Sequence, residues 1–103
     1  MSEVKTVPNL TELRARRAEI LAIAQRRGAY NVRVFGSVAR SDTKPESDVD
    51  FLVNLVQGTN LYDVSGLLLD LRELLGYEVD VVVEHPQLRE RLRQRILKDA
   101  VPL

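Results

Sequence analysis

The sequence predicts an α+β fold of α/β type, a small mixed sheet of three or more strands packed by helices. Three short apolar segments carry this prediction, at residues 31–35, 48–54 and 79–83. Each is rich in Val, Leu or Phe and bounded by Gly, Asn, Pro or Ser, as strands are. Helical patterns precede, separate and follow them, and one layer of strands covered by helices buries both kinds of apolar face. At 103 residues the chain fits one domain with one core. Residues 1–8 read as a flexible arm and residues 9–103 as the single domain.

The elements follow in order. Asn9 with Glu12 predicts a capping box, and Leu10, Leu13, Ile20, Leu21 and Ala24 recur at helical spacing. Arg26 and Arg27 suit the last turn, with Gly28 just beyond it. Val32 and Val34 share one face of the first strand by its period of two. Residues 37–40 fit a short helical turn and residues 41–47 a loop. The second strand runs over 48–54. Leu61, Val64, Leu67, Leu68, Leu71, Leu74 and Leu75 form the clearest amphipathic helix, ended by Gly76; their apolar side could also serve a dimer or a partner. The third strand, almost wholly apolar apart from Asp80, is expected well inside the sheet. His85 and Pro86 are expected to open a last helix carrying Leu88, Leu92 and Ile96, with His85 in a capping role.

Composition excludes several chemistries. There is no cysteine, which removes disulfides, thiolate nucleophiles and zinc–thiolate sites. Fifteen basic residues balance fifteen acidic ones, which argues against a protein that coats nucleic acid. No segment approaches a membrane span and the N-terminus is not a signal peptide, so the expected location is cytoplasmic. Arg89, Arg91, Arg93, Arg95 and Lys98 do not share one helix face, and read as a solvated surface balanced by Glu90 and Asp99.

Three carboxylates remain to be explained. Asp48 and Asp50 lie two apart on a strand, hence on one face. Asp80 interrupts another apolar strand, with Glu78 as its competitor. Buried carboxylates are costly unless paired or bound to metal. Magnesium, a hard ion that prefers oxygen donors and shares them with phosphates, suits this set. Two such ions could activate an attacking oxygen and neutralise a leaving pyrophosphate. Gly36 stands where a strand meets a helical turn and permits close backbone approach to a phosphate. Ser37 adds a hydroxyl and Arg40 a cationic fork. The spacing matches neither a P-loop nor a dinucleotide fingerprint.

Gly36-Ser37, ten intervening residues and then Asp48-x-Asp50 resemble the signature of the DNA polymerase beta-like nucleotidyltransferase superfamily. The stretches 34–40, 47–53 and 79–82 resemble its minimal nucleotidyltransferases, the antitoxin partners of HEPN-domain ribonuclease toxins. The resemblance implies a polymerase beta-like palm and AMP transfer from ATP to a tyrosine of such a toxin. Gly36 and Ser37 would contact the triphosphate, and Asp48 and Asp50 would ligate both magnesium ions. Asp80 would be the third ligand and the group closest to the attacking hydroxyl. Ser41 departs from the family, which carries glycine there. The chain is short, so its acceptor would bring its own surface; a homo-oligomer is also compatible. Transfer to a small-molecule acceptor, or neutralisation of a partner by contact alone, are the competing functions.

Overall fold

The computed structural model describes residues 7–103. It contains α1 (Leu10–Ala15), α2 (Arg17–Arg26), β1 (Ala29–Phe35), α3 (Gly36–Arg40), β2 (Val49–Leu55), α4 (Leu61–Leu75), β3 (Val79–Val83), α5 (Glu90–Asp99) and β4 (Val101–Pro102). The arm expected over residues 1–8 lies mostly outside the described residues; Pro8, at its end, is buried.

The sheet is mixed, with strand order β3-β2-β1-β4. β1 lies antiparallel to both β2 and β4, while β2 and β3 are parallel. Parallel neighbours need a crossover, and the fifteen residues of α4 supply it. Asn60 starts that helix in a reciprocal capping box with Asp63, and Gly76 ends it at φ +74°.

One sheet face carries the main core. Val32 and Val34 of β1, Val49, Phe51 and Val53 of β2 and Val79 of β3 meet Leu13, Ile20, Ile23 and Ala24 from the first two helices and Leu67, Leu71 and Leu75 from α4. A bulge in β1 keeps this face in phase, because the register slips between Tyr30 and Arg33. Asn31 absorbs the extra residue at φ +52°, a conformation asparagine tolerates better than most. Ala29 and Val32 therefore both point into the core, three residues apart.

The other face holds the polar residues. Asp50 and Leu52 of β2, Asp80 of β3 and Arg33 of β1 lie here, with Glu84 just past the end of β3, and α5 packs beside α3 and β1. Leu52 and Ile96 are buried here. Glu84 accepts from Arg33 at 2.7 Å and from Arg93 of α5 at 3.0 Å, which ties the helix to the sheet. Arg33 and Glu84 are both nearly buried, and the Arg33 guanidinium holds the Glu84 carboxyl below the usual range.

Four expectations are corrected. The first helix is two pieces, broken at Arg16, whose guanidinium instead donates to the Leu74 carbonyl at 2.7 Å near the end of α4. The Asn9 side chain does cap α1, accepting from the Glu12 N–H at 2.8 Å, but the Glu12 carboxylate accepts from the Tyr77 hydroxyl at 3.0 Å. The third strand is an edge, not an interior strand. Its apolar run conceals an alternation, with Val79, Val81 and Val83 on the core side and Asp80, Val82 and Glu84 on the other. The last helix begins at Glu90 rather than at Pro86. His85 instead caps a turn, Nδ1 accepting from the Gln87 N–H at 3.1 Å. Of the basic residues on and just before α5, Arg93 is engaged by Glu84, while Arg89, Arg91, Arg95 and Lys98 are exposed as expected.

Candidate active site

Two strand ends and one short helix build the site. The parallel register sets Asp50 of β2 directly beside Asp80 of β3. On the other side of Asp50, the antiparallel register places Phe35, the last residue of β1. Asp50 is thus the centre of a row that runs from the β1–α3 junction to the sheet edge. Asp48 stands one residue ahead of β2, on the same face as Asp50 by the strand's period, and is exposed. Asp80 is exposed as well, so burial cost falls on Asp50 alone and not on Asp80 as expected.

Gly36 fixes the junction. Its φ of +76° is a conformation that residues with a Cβ rarely adopt. A Cβ there would collide with Asp50 Oδ2 and stand 3.3 Å from its Cγ. The glycine is required twice, once by the backbone turn and once by the carboxylate packed over it. Ser37 follows, half-buried in the first turn of α3.

Charge accumulates at Asp50. Burial above all, then the neighbouring charges of Asp80 and Asp48, push its carboxyl up to about 6, against the opposing pull of Arg40. The three carboxylates are therefore close enough to oppose one another, and Arg40 is close enough to relieve them. Arg40 ends α3 and donates to Asp42 at 3.2 Å and to Asp99 of α5 at 2.8 Å. Glu78 is drawn aside by Arg72 at 2.7 Å, which leaves Asp80 as the carboxylate aligned with Asp50.

This donor set suits a hard divalent cation, which would relieve the repulsion that raises Asp50. As placed, no three His, Asp or Glu side chains among the described residues converge into a ready ligand set. A cation would have to draw the exposed Asp48 and Asp80 carboxylates inward.

Ser41 closes α3 in the left-handed region at φ +61°, ψ 34°. A glycine adopts this conformation freely, whereas a residue with a Cβ carries strain of about 1 kcal/mol. Ser41→Gly is therefore expected to raise the melting temperature by a few degrees, part of the gain being offset by the freer unfolded chain. A thermal melt of the variant beside wild type checks this; an unchanged or lower midpoint would show that the strain is compensated locally.

Two open clefts, of about 480 and 680 Å³, lie at the opposite end of the sheet. Asn54, Glu84 and Arg93 line the first; Leu55, Leu61 and Tyr62 line the second. Neither shares a residue with the aspartate row. Sequence reasoning placed Asp99 on a solvated face and did not single out Glu84, because the partners Arg40 and Arg33 are distant in the chain. No helix among the described residues is long and apolar enough to cross a membrane.

Comparison with known proteins places the fold. A protein of Methanocaldococcus jannaschii named "putative protein adenylyltransferase" is 37% identical over 93 residues, covering 90% of this chain and 96% of that one. A solved "putative minimal nucleotidyltransferase" superposes with a TM-score of 0.81 at 47% identity, over 93% of this chain and 97% of that one. The MNT antitoxin complex with a tri-AMPylated HEPN toxin of Shewanella oneidensis shares the fold, with a TM-score of 0.61 at 18% identity over 86% of this chain and 69% of that one. The expected polymerase beta-like palm, a mixed four-stranded sheet packed by helices, is the observed one. The family profile described as "Nucleotidyltransferase domain" matches residues 17–103, from the start of α2 to the last residue and across the whole aspartate row, and the chain belongs to that family.

Proposed function

We propose that this nucleotidyltransferase transfers AMP from ATP to a tyrosine hydroxyl of a HEPN-type toxin and thereby acts as its antitoxin. The observation that carries the proposal is the Asp50 carboxylate, packed between Gly36 and Asp80 and raised to about 6. Such a site is built to be completed by positive charge. The adenylyl specificity and the toxin partner draw support from the names of the relative and of the fold neighbour.

In this reading Asp48, Asp50 and Asp80 would hold magnesium, in two ions. Bound magnesium would neutralise the triphosphate and favour ionisation of the attacking hydroxyl. Gly36 lets the chain approach the phosphates without a Cβ in the way, and the Ser37 hydroxyl and the first N–H groups of α3 would donate to them. Arg40 adds its fork to the hold on the triphosphate. The tyrosine oxygen attacks the α-phosphorus, and the bond from that phosphorus to the β-phosphate oxygen breaks. Asp80, exposed at the sheet edge where an acceptor can reach it, takes the hydroxyl proton. The protein's task is position and charge, which suits a chain with one histidine and no cysteine.

The test is to copurify the chain with its bound partner, add magnesium and ATP, and weigh the intact partner. One or more AMP units gained with wild type, and none with Asp48→Asn/Asp50→Asn, is the expected result. A partner that starts unmodified, stays unmodified and is still neutralised would overturn transfer in favour of neutralisation by contact. Magnesium is tested separately, by a rise in melting temperature of wild type that the double variant lacks.

A further inference from the structure

Arg40 is not a loose surface cation. Two of its five N–H donors are taken, one by Asp42 at 3.2 Å and one by Asp99 at 2.8 Å. Asp42 belongs to the loop that follows α3, whereas Asp99 comes from the far end of the chain. Its place is fixed by strand β4, which starts two residues later. β4 pairs Val101 with Val34, two residues before Gly36, and the Leu103 N–H donates to the Val32 carbonyl at 3.2 Å. The end of α5 is thereby stitched to the strand that leads into the Gly36 turn.

The location of Asp99 carries a second argument. It is the last residue of α5, where the helix dipole disfavours a carboxylate and favours the cation that usually stands there. A carboxylate kept at that end needs compensation, and Arg40 provides it. Asp99 is also the less exposed partner, at 24% against 57% for Asp42. The pair with Asp99 is therefore less screened than the pair with Asp42.

We propose that Asp99 is a positioning residue for nucleotide binding: it holds the Arg40 guanidinium beside the aspartate row so that its remaining N–H donors meet the triphosphate. This rests on the reading of the site as an ATP site. An arginine fork recognises phosphate by geometry as much as by charge, so a fixed fork binds more tightly than a wandering one. Asp99 itself touches no substrate and acts only through Arg40.

The test is a double-mutant cycle of Asp99→Asn with Arg40→Ala, reading the Kd for ATP with magnesium by calorimetry and KM and kcat for AMP transfer to the copurified partner. Asp99→Asn should raise Kd and KM about tenfold while kcat stays within about twofold. In the Arg40→Ala background the same change should do nothing further. An unchanged Kd, or equal effects in both backgrounds, would overturn the inference. If Asp99→Asn fails to fold, Asp99→Glu keeps the charge and displaces it by one methylene; an unaltered KM in that variant would overturn it as well. Wild-type protein that binds no ATP would instead remove the reading of the site, and this inference with it.

Discussion

Asp50→Asn is expected to give a protein that is more stable than wild type at neutral pH and that transfers AMP on the order of 10³-fold more slowly. The Asp50 carboxyl titrates near 6 against 3.8 in the unfolded chain. Below about pH 4 the group is protonated in both states and contributes nothing. Between pH 4 and 6 the unfolded chain loses the proton while the folded chain keeps it, so stability falls as pH rises. Above 6 the penalty is complete. The shift would be worth about 3 kcal/mol at full strength, and about 1–2 kcal/mol once solvent screening of a half-buried group is allowed for. Asparagine carries no such penalty. Its advantage should be small at pH 4, grow through pH 5–6 and level off above pH 7, as read from melting temperatures across that range. A wild-type melting temperature that rose between pH 4 and 6 relative to the variant would refute the sign. Activity moves the other way: loss of the central carboxylate proposed to hold magnesium should cost several kcal/mol of transition-state stabilisation, on the order of 10³-fold or more in rate. Added magnesium should narrow the stability gap, because a cation on the aspartate row stabilises only the folded wild type.

The parts of this protein that depend on local pattern were legible in the sequence. The valines of β1, the leucines of α4 and the Asp48-x-Asp50 pair each announce their face through a period of two or of 3.6. The Gly36-Ser37 turn is legible too, because glycine is the residue that most readily adopts the conformation found there. What could not be read depends on which strands become neighbours. Val101 and Pro102 are too short to show a period, and they become a strand only because β1 offers a free edge. That strand delivers Asp99 to Arg40, 59 residues apart in the chain. Glu84 and Arg33 meet for the same reason, across a sheet order that no local pattern encodes. The apolar run at β3 misled differently. Taken over five residues it looks interior, but extended to Glu84 it alternates, and alternation is the mark of a strand with one covered face. The break at Arg16 has no counterpart in composition, since residues 14–18 would all continue a helix.

Gly36→Ala is expected to damage both the fold and the site, for two separable reasons. The first is backbone strain. At φ +76° an alanine costs about 1–2 kcal/mol relative to glycine. The second is the collision of its Cβ with Asp50 Oδ2. That oxygen belongs to a short side chain fixed to the middle of the sheet, so it cannot swing clear as the end of a lysine could. Overpacking of this kind costs about 1–3 kcal/mol more. Together these should lower the melting temperature by about 10 °C or more in a domain of this size. Activity should fall by at least about a hundredfold, because a displacement near 1 Å of the carboxylate proposed to hold the metal costs that much. The two causes separate in a cycle with Asp50→Ala, which removes the carboxylate and leaves the backbone turn. In that background Gly36→Ala should cost only the strain, about 1–2 kcal/mol by denaturant unfolding, and the difference between the two backgrounds measures the collision. Equal costs in both would mean that Asp50 does not pack over Gly36 in solution. The glycine would then serve the turn alone, and the close approach of the Gly36 turn to the aspartate row would lose its support.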